Sequence, residues 1–588
     1  MTHYHAPLRD IRFALQVQDF AQLSQLPGCE ELSPELADAV LEEAARFAEN
    51  VLTPLNRVGD LQGCRWQQGK VITPDGWTEA YRQFAEAGWV GLELPQEYGG
   101  QALPKSLATP VGEMWHAANL AFNMLPTLAV GATESLLRAA SPALQACYLP
   151  KLVSGEWSAA MDLTEPQAGS DLGALRTRAE PHADGSYRLF GQKIFISYGE
   201  HDMAANIVHL VLARLPDAPA GSKGISLFLV PKFLPDAAGE PGARNDIQCV
   251  SIEHKLGLHG SPTCTLVYGE QGGATGYLIG QPNRGLEAMF VMMNEARLSV
   301  ALQGVGLGER AYQHAVAYAR ERVQGRAPGA PAAGAIIQHP DVKRMLLGMR
   351  ARLLATRLLI YHLASLLDRA HRQPDAAAAT AAQQQAELLV PVAKGWGTET
   401  GVELSNLAVQ VFGGSGFIEE TGIAQQLRDA RVTTIYEGTT GIQAADLVGR
   451  KLVRDQGAAL QALQQQMLAT ASALLAQPAL AALGQRLAAA ANVLQQAGAQ
   501  MLQQEPASAL AVAVPFLQLC GGIAGAWQLG KAALLAAQQL DSAHDDYQAG
   551  IIALARFYYS HQLPQAEAWL HSLQDGGAAV CDYPLAAL

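Results

Sequence analysis

The sequence predicts a mainly helical protein with one β domain set into it, in the order α–β–α–α. Three observations carry that expectation. Apolar residues recur with helical period from residue 30 to about 155. Short runs rich in Ile, Val, Phe and Tyr then take over to about residue 278, punctuated by Gly, Pro and Asp. Helical periodicity returns near residue 283, and beyond Asp455 the composition shifts to Ala, Gln and Leu.

Taken in order, "SPELADAVLEEAARFAENVL" opens a helix, with Ser33 as N-cap, Pro34 at the first helical position and acids in the early turns. "TPDGWTEAYRQFAEAGW" and the segment from Ser106 to Ala140 continue this helical domain, residues 1–156. "YRLFGQKIFISYG", "NIVHLVLARL" and "GISLFLVPKF" read as strands joined by turn-rich linkers, giving a small antiparallel domain over 157–280. Residues 281–452 read as four or five long helices, interrupted by the loop "GRAPGAPAAGA" at 325–335. The remainder, 453–588, reads as an appended bundle of about five helices, with Pro478, Pro506 and Pro515 as breakers.

Bulk properties narrow the function. A chain of 588 residues, 49% hydrophobic and only 16% charged, can bury several cores. Its net charge of −13 argues against a nucleic-acid partner, which needs a basic patch, but leaves room for a small anionic ligand in a cleft with a few arginines. Seven dispersed cysteines without CxxC spacing suit a reduced, cytoplasmic setting rather than a disulfide framework. The N-terminus does not read as a signal peptide, since Asp10 and Asp19 interrupt it, and no run approaches the roughly 20 apolar residues of a membrane span. From Asp455 onward three basic residues (Arg486, Lys531, Arg556) face eight acidic ones, which disfavours attachment to a membrane surface.

Three stretches could carry chemistry. "MDLTEPQAGSDLGALRT" (161–177) places Thr164, Gly169 and Ser170 in a turn that could hold a polar ring edge or a phosphate; as a turn alone, it is a Pro/Gly turn with Asp171 capping. "QVFGGSGFIEE" (410–420) interrupts a helix with Gly413, Gly414 and Gly416, either as backbone that approaches a ligand or as a helix C-cap. The glycines of "GVGLG" (304–308) sit mid-helix and read as close helix packing. "TTIYEGTTGIQ" (433–443) isolates Glu437 among hydroxyls and small residues. A desolvated carboxylate there suits a general base; the alternative is an acid favoured by a helix start. The scattered histidines (His201, His209, His254, His259, His339) make no metal pattern and no GxSxG elbow occurs, which removes metalloenzyme and hydrolase readings.

Together, "LTEPQAGSD", "GQKIFIS", "NEARLSVALQGVGLGERAY", "YARERVQGR", "QVFGGSGF" and "RDARVTTIYEGTTGIQ" resemble the acyl-CoA dehydrogenase family in order and spacing, over residues 35 to 451. The extension resembles a subset that includes bacterial long-chain-type and 3-methylmercaptopropionyl-CoA dehydrogenases. The resemblance implies a fold of an N-terminal helical domain, a middle β domain and a C-terminal four-helix domain, and FAD as cofactor. Glu437 matches the base that takes the pro-R α-proton of an acyl-CoA thioester, while FAD accepts the β-hydride. Leu163, Thr164, Gly169, Ser170, Phe195 and Ser197 match flavin contacts. Arg322 and Gln324 match pyrophosphate contacts made from a neighbouring subunit, Gln410, Val411 and Gly414 the adenosine end, and Thr439 a further contact. Ser170, Asn294 and Arg297 match positions near CoA, and Tyr436 and Gly438 flank the acyl chain.

Several positions depart from the family pattern. Phe195 stands where Trp is usual, and Ser197 where Thr is usual. The Phe expected after Gln324 is absent, and Gly441 replaces a frequent Gln. Some relatives carry the base before the Arg of "NEAR"; here that position is Ala296, with Glu295 one residue off. Phe122, Met124 and Leu125 are candidates for the floor of an acyl pocket or for core. The resemblance implies fatty-acid β-oxidation chemistry with electron-transfer flavoprotein as acceptor, in a homodimer whose extension fills the place of a second dimer. The alternatives are a 3-methylmercaptopropionyl-CoA dehydrogenase, an acyl-CoA oxidase and a catalytically silent flavoprotein.

Overall fold

The computed structural model describes residues 3–540 and 546–587, the side chains of Val291, Asn294 and Glu295 excepted. The chain forms two compact units, one of residues 46–104 and 118–299, the other of 1–45, 105–117 and 300–588.

The first unit is built on an eight-stranded sheet. Its order is Ile247–Ile252, Thr263–Tyr268, Tyr187–Ser197, Ala274–Ile279, Ser226–Pro231, Asn206–Ala213, Trp157–Asp162, and Arg178–Pro181 pairs with Tyr187–Ser197. The pairs are antiparallel except that Trp157–Asp162 runs parallel to Asn206–Ala213, a departure that the antiparallel expectation missed. Both Asn206–Ala213 and Ser226–Pro231 are buried at every residue. Apolar clusters cover them: Leu128, Tyr148, Trp157, Leu210 and Met289 in one, Ile196, Val211, Phe228 and Leu266 in the other. This is why the two strands read as continuous apolar runs rather than as alternation. Phe122 and Leu125 are fully buried, and Phe122 meets Trp77 and Phe84 edge to face at 5.7 and 6.0 Å. Phe122 is therefore core of this unit, the blander of its two readings.

The turn after Trp157–Asp162 is shaped by Glu165. Its carboxylate pairs with Lys193 Nζ at 2.8 Å and accepts from the N–H groups of Thr177 (3.0 Å) and Arg176 (2.6 Å). Lys193 Nζ also donates to Leu163 O at 3.0 Å, and the Ile194 N–H to Thr164 O at 2.9 Å. The segment is thereby tied to strand Tyr187–Ser197. Burial works to raise Glu165, but Lys193 and the backbone donors outweigh it and hold the carboxyl at about 2. Burial draws the Lys193 ammonium below its ordinary value.

The second unit packs the helices Pro340–Arg372 and Ala376–Phe412 with the extension helices Ala458–Leu475, Ala481–Gln503, Pro506–Ala511, Ala513–Gln539, Asp546–His561 and Pro564–Cys581. The glycines expected to pack closely do so. A Cβ on Gly304 would collide with the Gly397 carbonyl, and one on Gly401 would stand 2.6 Å from Gly304 Cα. Nearby, Arg357 is fully buried between two carboxylates: Nε and Nη2 donate to Glu113 (2.9 and 2.6 Å), and Nη2 to Glu309 (2.7 Å). The Tyr361 hydroxyl closes the set on Glu113 at 2.9 Å. The helix Lys105–Ala139 is long and apolar enough to cross a membrane by length and composition, yet 78% of its most apolar window is buried within the protein.

Arg357→Met strands two buried carboxylates and should cost about 3–5 kcal/mol, read as a lowered denaturation midpoint; adding Glu113→Gln should recover part of it. The stability that Glu165 contributes is fully present above the ordinary carboxyl value of 4.5 and is lost as pH falls through about 2. Glu165→Gln should therefore melt below the wild type at neutral pH, and the gap should close across that acid window.

Candidate active site

Glu437 stands on a short loop between the turn Arg431–Thr434 and the helix Thr440–Asp446. Its φ is +54°, a left-handed conformation that a residue with a Cβ adopts at a cost of about 1–3 kcal/mol. Gly438 follows at φ +89°. The carboxylate is half-buried, and it precedes the helix by three residues, so it is not itself the cap. That role belongs to Thr439, whose hydroxyl accepts from the Ile442 N–H at 3.2 Å.

The loop is held at many points. Lys394, fully buried on the helix Ala376–Phe412, donates to Thr433 O at 2.9 Å and to Gly438 O at 2.7 Å. Gln443, fully buried, donates to Glu437 O at 3.0 Å. The Tyr436 hydroxyl donates to Gln303, and that of Thr440 to Glu399 at 2.6 Å. Burial and the adjacent Glu437 push the Tyr436 phenol above its ordinary value, so it remains a donor. A Cβ on Gly438 would lie 2.8 Å from Gln443 Nε2. The glycine is thus required by its φ, and a Cβ there would also push the Gln443 amide that bonds Glu437 O.

The other site residues divide between the two units. In the sheet unit, the turn carrying Leu163 and Thr164 is bonded to the strand that carries Phe195 and Ser197. Phe195 falls in a bulge: Cys264 pairs with Ile196 and Leu266 with Lys193, which leaves two residues opposite one. It has φ +60° and is 59% exposed, a strained backbone that presents an aromatic face outward. Gly169 and Ser170 are exposed, and nothing lies within 4 Å of where a Cβ on Gly169 would be. Asp171 does cap the next turn, accepting from the Gly173 N–H at 2.8 Å. Arg297 is buried at 7% exposure, Ala296 is buried beside it, and the side chains of Asn294 and Glu295 lie outside the described residues.

In the helical unit, Gly413 is the C-cap of Ala376–Phe412 at φ +59°, and both it and Gly414 face open space. Gln410 is exposed. Val411 is 4% exposed, so its side chain belongs to the core and only its backbone could meet a nucleotide. Arg322 and Gln324 are exposed, and the inserted loop closes back on them. The Ile336 N–H donates to Arg322 O at 2.8 Å, the Gln324 N–H to Gly334 O at 3.2 Å, and His339 Nε2 lies 2.9 Å from Gln324 O.

Each unit by itself suits part of a flavin nucleotide: the sheet unit offers an outward aromatic face with a hydroxyl two residues on and an open glycine, and the helical unit offers open glycines and exposed Arg and Gln for a diphosphate. The sequence reading missed Lys394, Gln443 and Gln303. For Lys394 a signal existed, a lone cation in the apolar run "ELLVPVAKGWG". Gln443 and Gln303 carry none.

Comparison with known proteins agrees with this layout. Residues 34–156, 160–270 and 283–453 match the N-terminal, middle and C-terminal domains of acyl-CoA dehydrogenase, and 460–584 match a domain described as acetyl-CoA dehydrogenase C-terminal like. The chain is 46% identical over 583 residues to the 3-methylmercaptopropionyl-CoA dehydrogenase of Ruegeria pomeroyi, covering 98% of each. It is 34% identical over 599 residues to a broad-specificity linear acyl-CoA dehydrogenase of Mycobacterium tuberculosis, covering 96% of each. The fold matches an FAD-complexed acyl-CoA dehydrogenase from Bacillus anthracis with a TM-score of 0.72 at 21% identity, over 94% of this chain and 90% of that one. The domain order, the flavin-compatible residues and a full-length relative at this identity lead to one conclusion: the chain belongs to the acyl-CoA dehydrogenase family, FAD-dependent oxidoreductases that act on acyl-CoA.

Proposed function

We propose that the protein removes the α- and β-hydrogens of an acyl-CoA thioester to give the trans-2-enoyl-CoA, with Glu437 as the base. The observation that carries this reading is a half-buried carboxylate held at positive φ on a loop otherwise free of charge from Val432 to Gln443. An acid in such surroundings is less well solvated than in water, which strengthens it as a base toward a weak carbon acid. Glu437 takes the α-proton on a carboxylate oxygen, and the electron pair left behind delocalises into the thioester as an enolate. FAD supplies the acceptor for the β-hydride. The residues proposed to hold it are the Leu163–Ser170 turn, Phe195 and Ser197, with Arg322, Gln324, Gln410, the Val411 backbone, Gly414 and Thr439 toward the nucleotide end. Arg297 and Ser170 are proposed to meet the CoA moiety, and Tyr436 and Gly438 to line the acyl chain beside the base.

For the acyl group we propose 3-methylmercaptopropionyl, supported by the Ruegeria relative's match from end to end. A linear fatty acyl group is the second reading, supported by the mycobacterial relative. Electron-transfer flavoprotein is the proposed acceptor.

Anaerobic titration with linear acyl-CoAs from butyryl to palmitoyl, and with 3-methylmercaptopropionyl-CoA, tests both levels. The oxidised flavin band should bleach in the wild type, most completely with the sulfur-containing substrate. Glu437→Gln should retain FAD and lose reduction by about 10²–10⁴-fold or more; FAD that no acyl-CoA reduces would overturn the reading. In a separate mixing experiment, electron-transfer flavoprotein should reoxidise the reduced enzyme faster than dissolved oxygen does. The reverse order would make the protein an oxidase.

A further inference from the structure

We infer that Lys394 is a positioning residue for the Glu437 base, acting through the backbone of the loop that carries it. The inference rests on the reading of Glu437 as the base. A left-handed non-glycine residue persists only where its surroundings over-determine it. Here the carbonyls of Thr433, Glu437 and Gly438 are each taken by a side-chain N–H from a buried residue, the first and third by Lys394 and the second by Gln443. One ammonium thus closes the span 433–438 at both ends and fixes where Glu437 stands inside it. The Gln443 amide fixes the rotation of the peptide that follows Glu437.

The anchor for this clamp is rigid. Lys394 sits mid-helix, and the next residues are locked on two sides. A Cβ on Gly395 would lie 2.8 Å from Leu517 of the extension, and Gly397 meets the backbone of Gly304. The helix is thus packed against backbone at Gly397 and against the Leu517 side chain at Gly395, which limits where the Lys394 Nζ can stand. An apolar side chain at this position would fill the space without donating. It would leave the two carbonyls without these bonds and the loop free to relax toward ordinary φ, which would move the carboxylate off the α-carbon.

The test uses the FAD-loaded enzyme and the acyl-CoA that reduces the wild-type flavin fastest, undeuterated and α-dideuterated. Four variants are compared by flavin content, by saturation of reduction with acyl-CoA, and by single-turnover reduction rate: Lys394→Met, Gln443→Met, Glu437→Gln and Lys394→Met/Glu437→Gln. Lys394→Met should keep its flavin and half-saturate within a few-fold of wild type. Its reduction should slow by about 100-fold, the cost of a misplaced catalytic group, with an α-deuterium isotope effect at least as large as wild type. In the Glu437→Gln background the same change should cost nothing further, because the two act as one unit.

A wild-type reduction rate per bound flavin in Lys394→Met, whatever its thermal stability or flavin occupancy, would overturn the inference. So would an equal loss with and without Glu437. Should Lys394→Met be isolated without flavin, Gln443→Met, which removes only the bond to the Glu437 carbonyl, decides by the same criteria. Wild-type reduction by Glu437→Gln would instead remove the base itself, a failure distinguished by the variant that retains activity.

Discussion

The helical unit depends on a contact in which side chains take no part. The helices that carry Gly304 and Gly397 approach until backbone meets backbone, and Gly401 extends the contact by one turn. Substituting a residue with a Cβ at Gly304 or Gly401 would force the helices apart, because the atoms it would meet are backbone and cannot swing away. That spacing brings Gln303, one residue from the contact, to the Tyr436 hydroxyl, and places Lys394, one turn away, beneath the loop. The precision of the site is inherited from the packing of two rods, which is more exact than a loop could supply on its own.

Two of the non-glycine residues proposed for the site stand at positive φ. Among the residues matched to the flavin and the acyl chain, the two non-glycine residues with positive φ are Phe195 and Glu437. Each is held by a different device. Phe195 is set by a bulge in an otherwise regular antiparallel ladder, with Lys193 buried on one side and Ile196 on the other. Glu437 has no ladder, so buried side chains must hold its carbonyls. The difference follows from where each residue lies. A strand supplies backbone partners on both flanks, whereas a loop between two short helical turns must borrow them.

Much of this was legible in the sequence. The β domain announced itself through alternation and turn chemistry and the extension through its helical composition, and Glu437 stood out as a candidate through the disappearance of charge around it. The parallel pairing of Trp157–Asp162 was not legible, because a short apolar strand carries no mark of direction. Nor was the assignment of Phe122 to the core, since an aromatic residue on a helix looks the same whether it lines a pocket or meets Trp77. Val411 shows a related limit. A motif can identify a position near a ligand, but not whether the side chain or the backbone makes the contact. Lys394 escaped because it lies 43 positions from Glu437, and its lone charge does not say which loop it meets; Gln443, only 6 positions away, escaped because a glutamine does not show what it will bond.

The extension packs directly against the helix that carries Lys394 rather than hanging off it. Leu517 fills the space beside Gly395, and Trp396 occupies the room left by Gly521. The same bundle also fixes the start of the chain through polar contacts. Gln18 Nε2 donates to Gln528 Oε1 at 2.8 Å, Lys531 Nζ donates to Gln18 Oε1 at 3.2 Å, and the Tyr547 hydroxyl donates to Asp10, which also holds Arg350 at 2.6 Å. Apolar contacts alone would let the helix Leu8–Val17 slide along its groove at little cost. Buried hydrogen bonds do not, because a shift of one residue would leave Gln528 and Asp10 without these partners in a place where water cannot replace them. The polar contacts set the register and the apolar ones supply the stability. Through Leu517 and Trp396, the same bundle packs against the helix that carries Lys394.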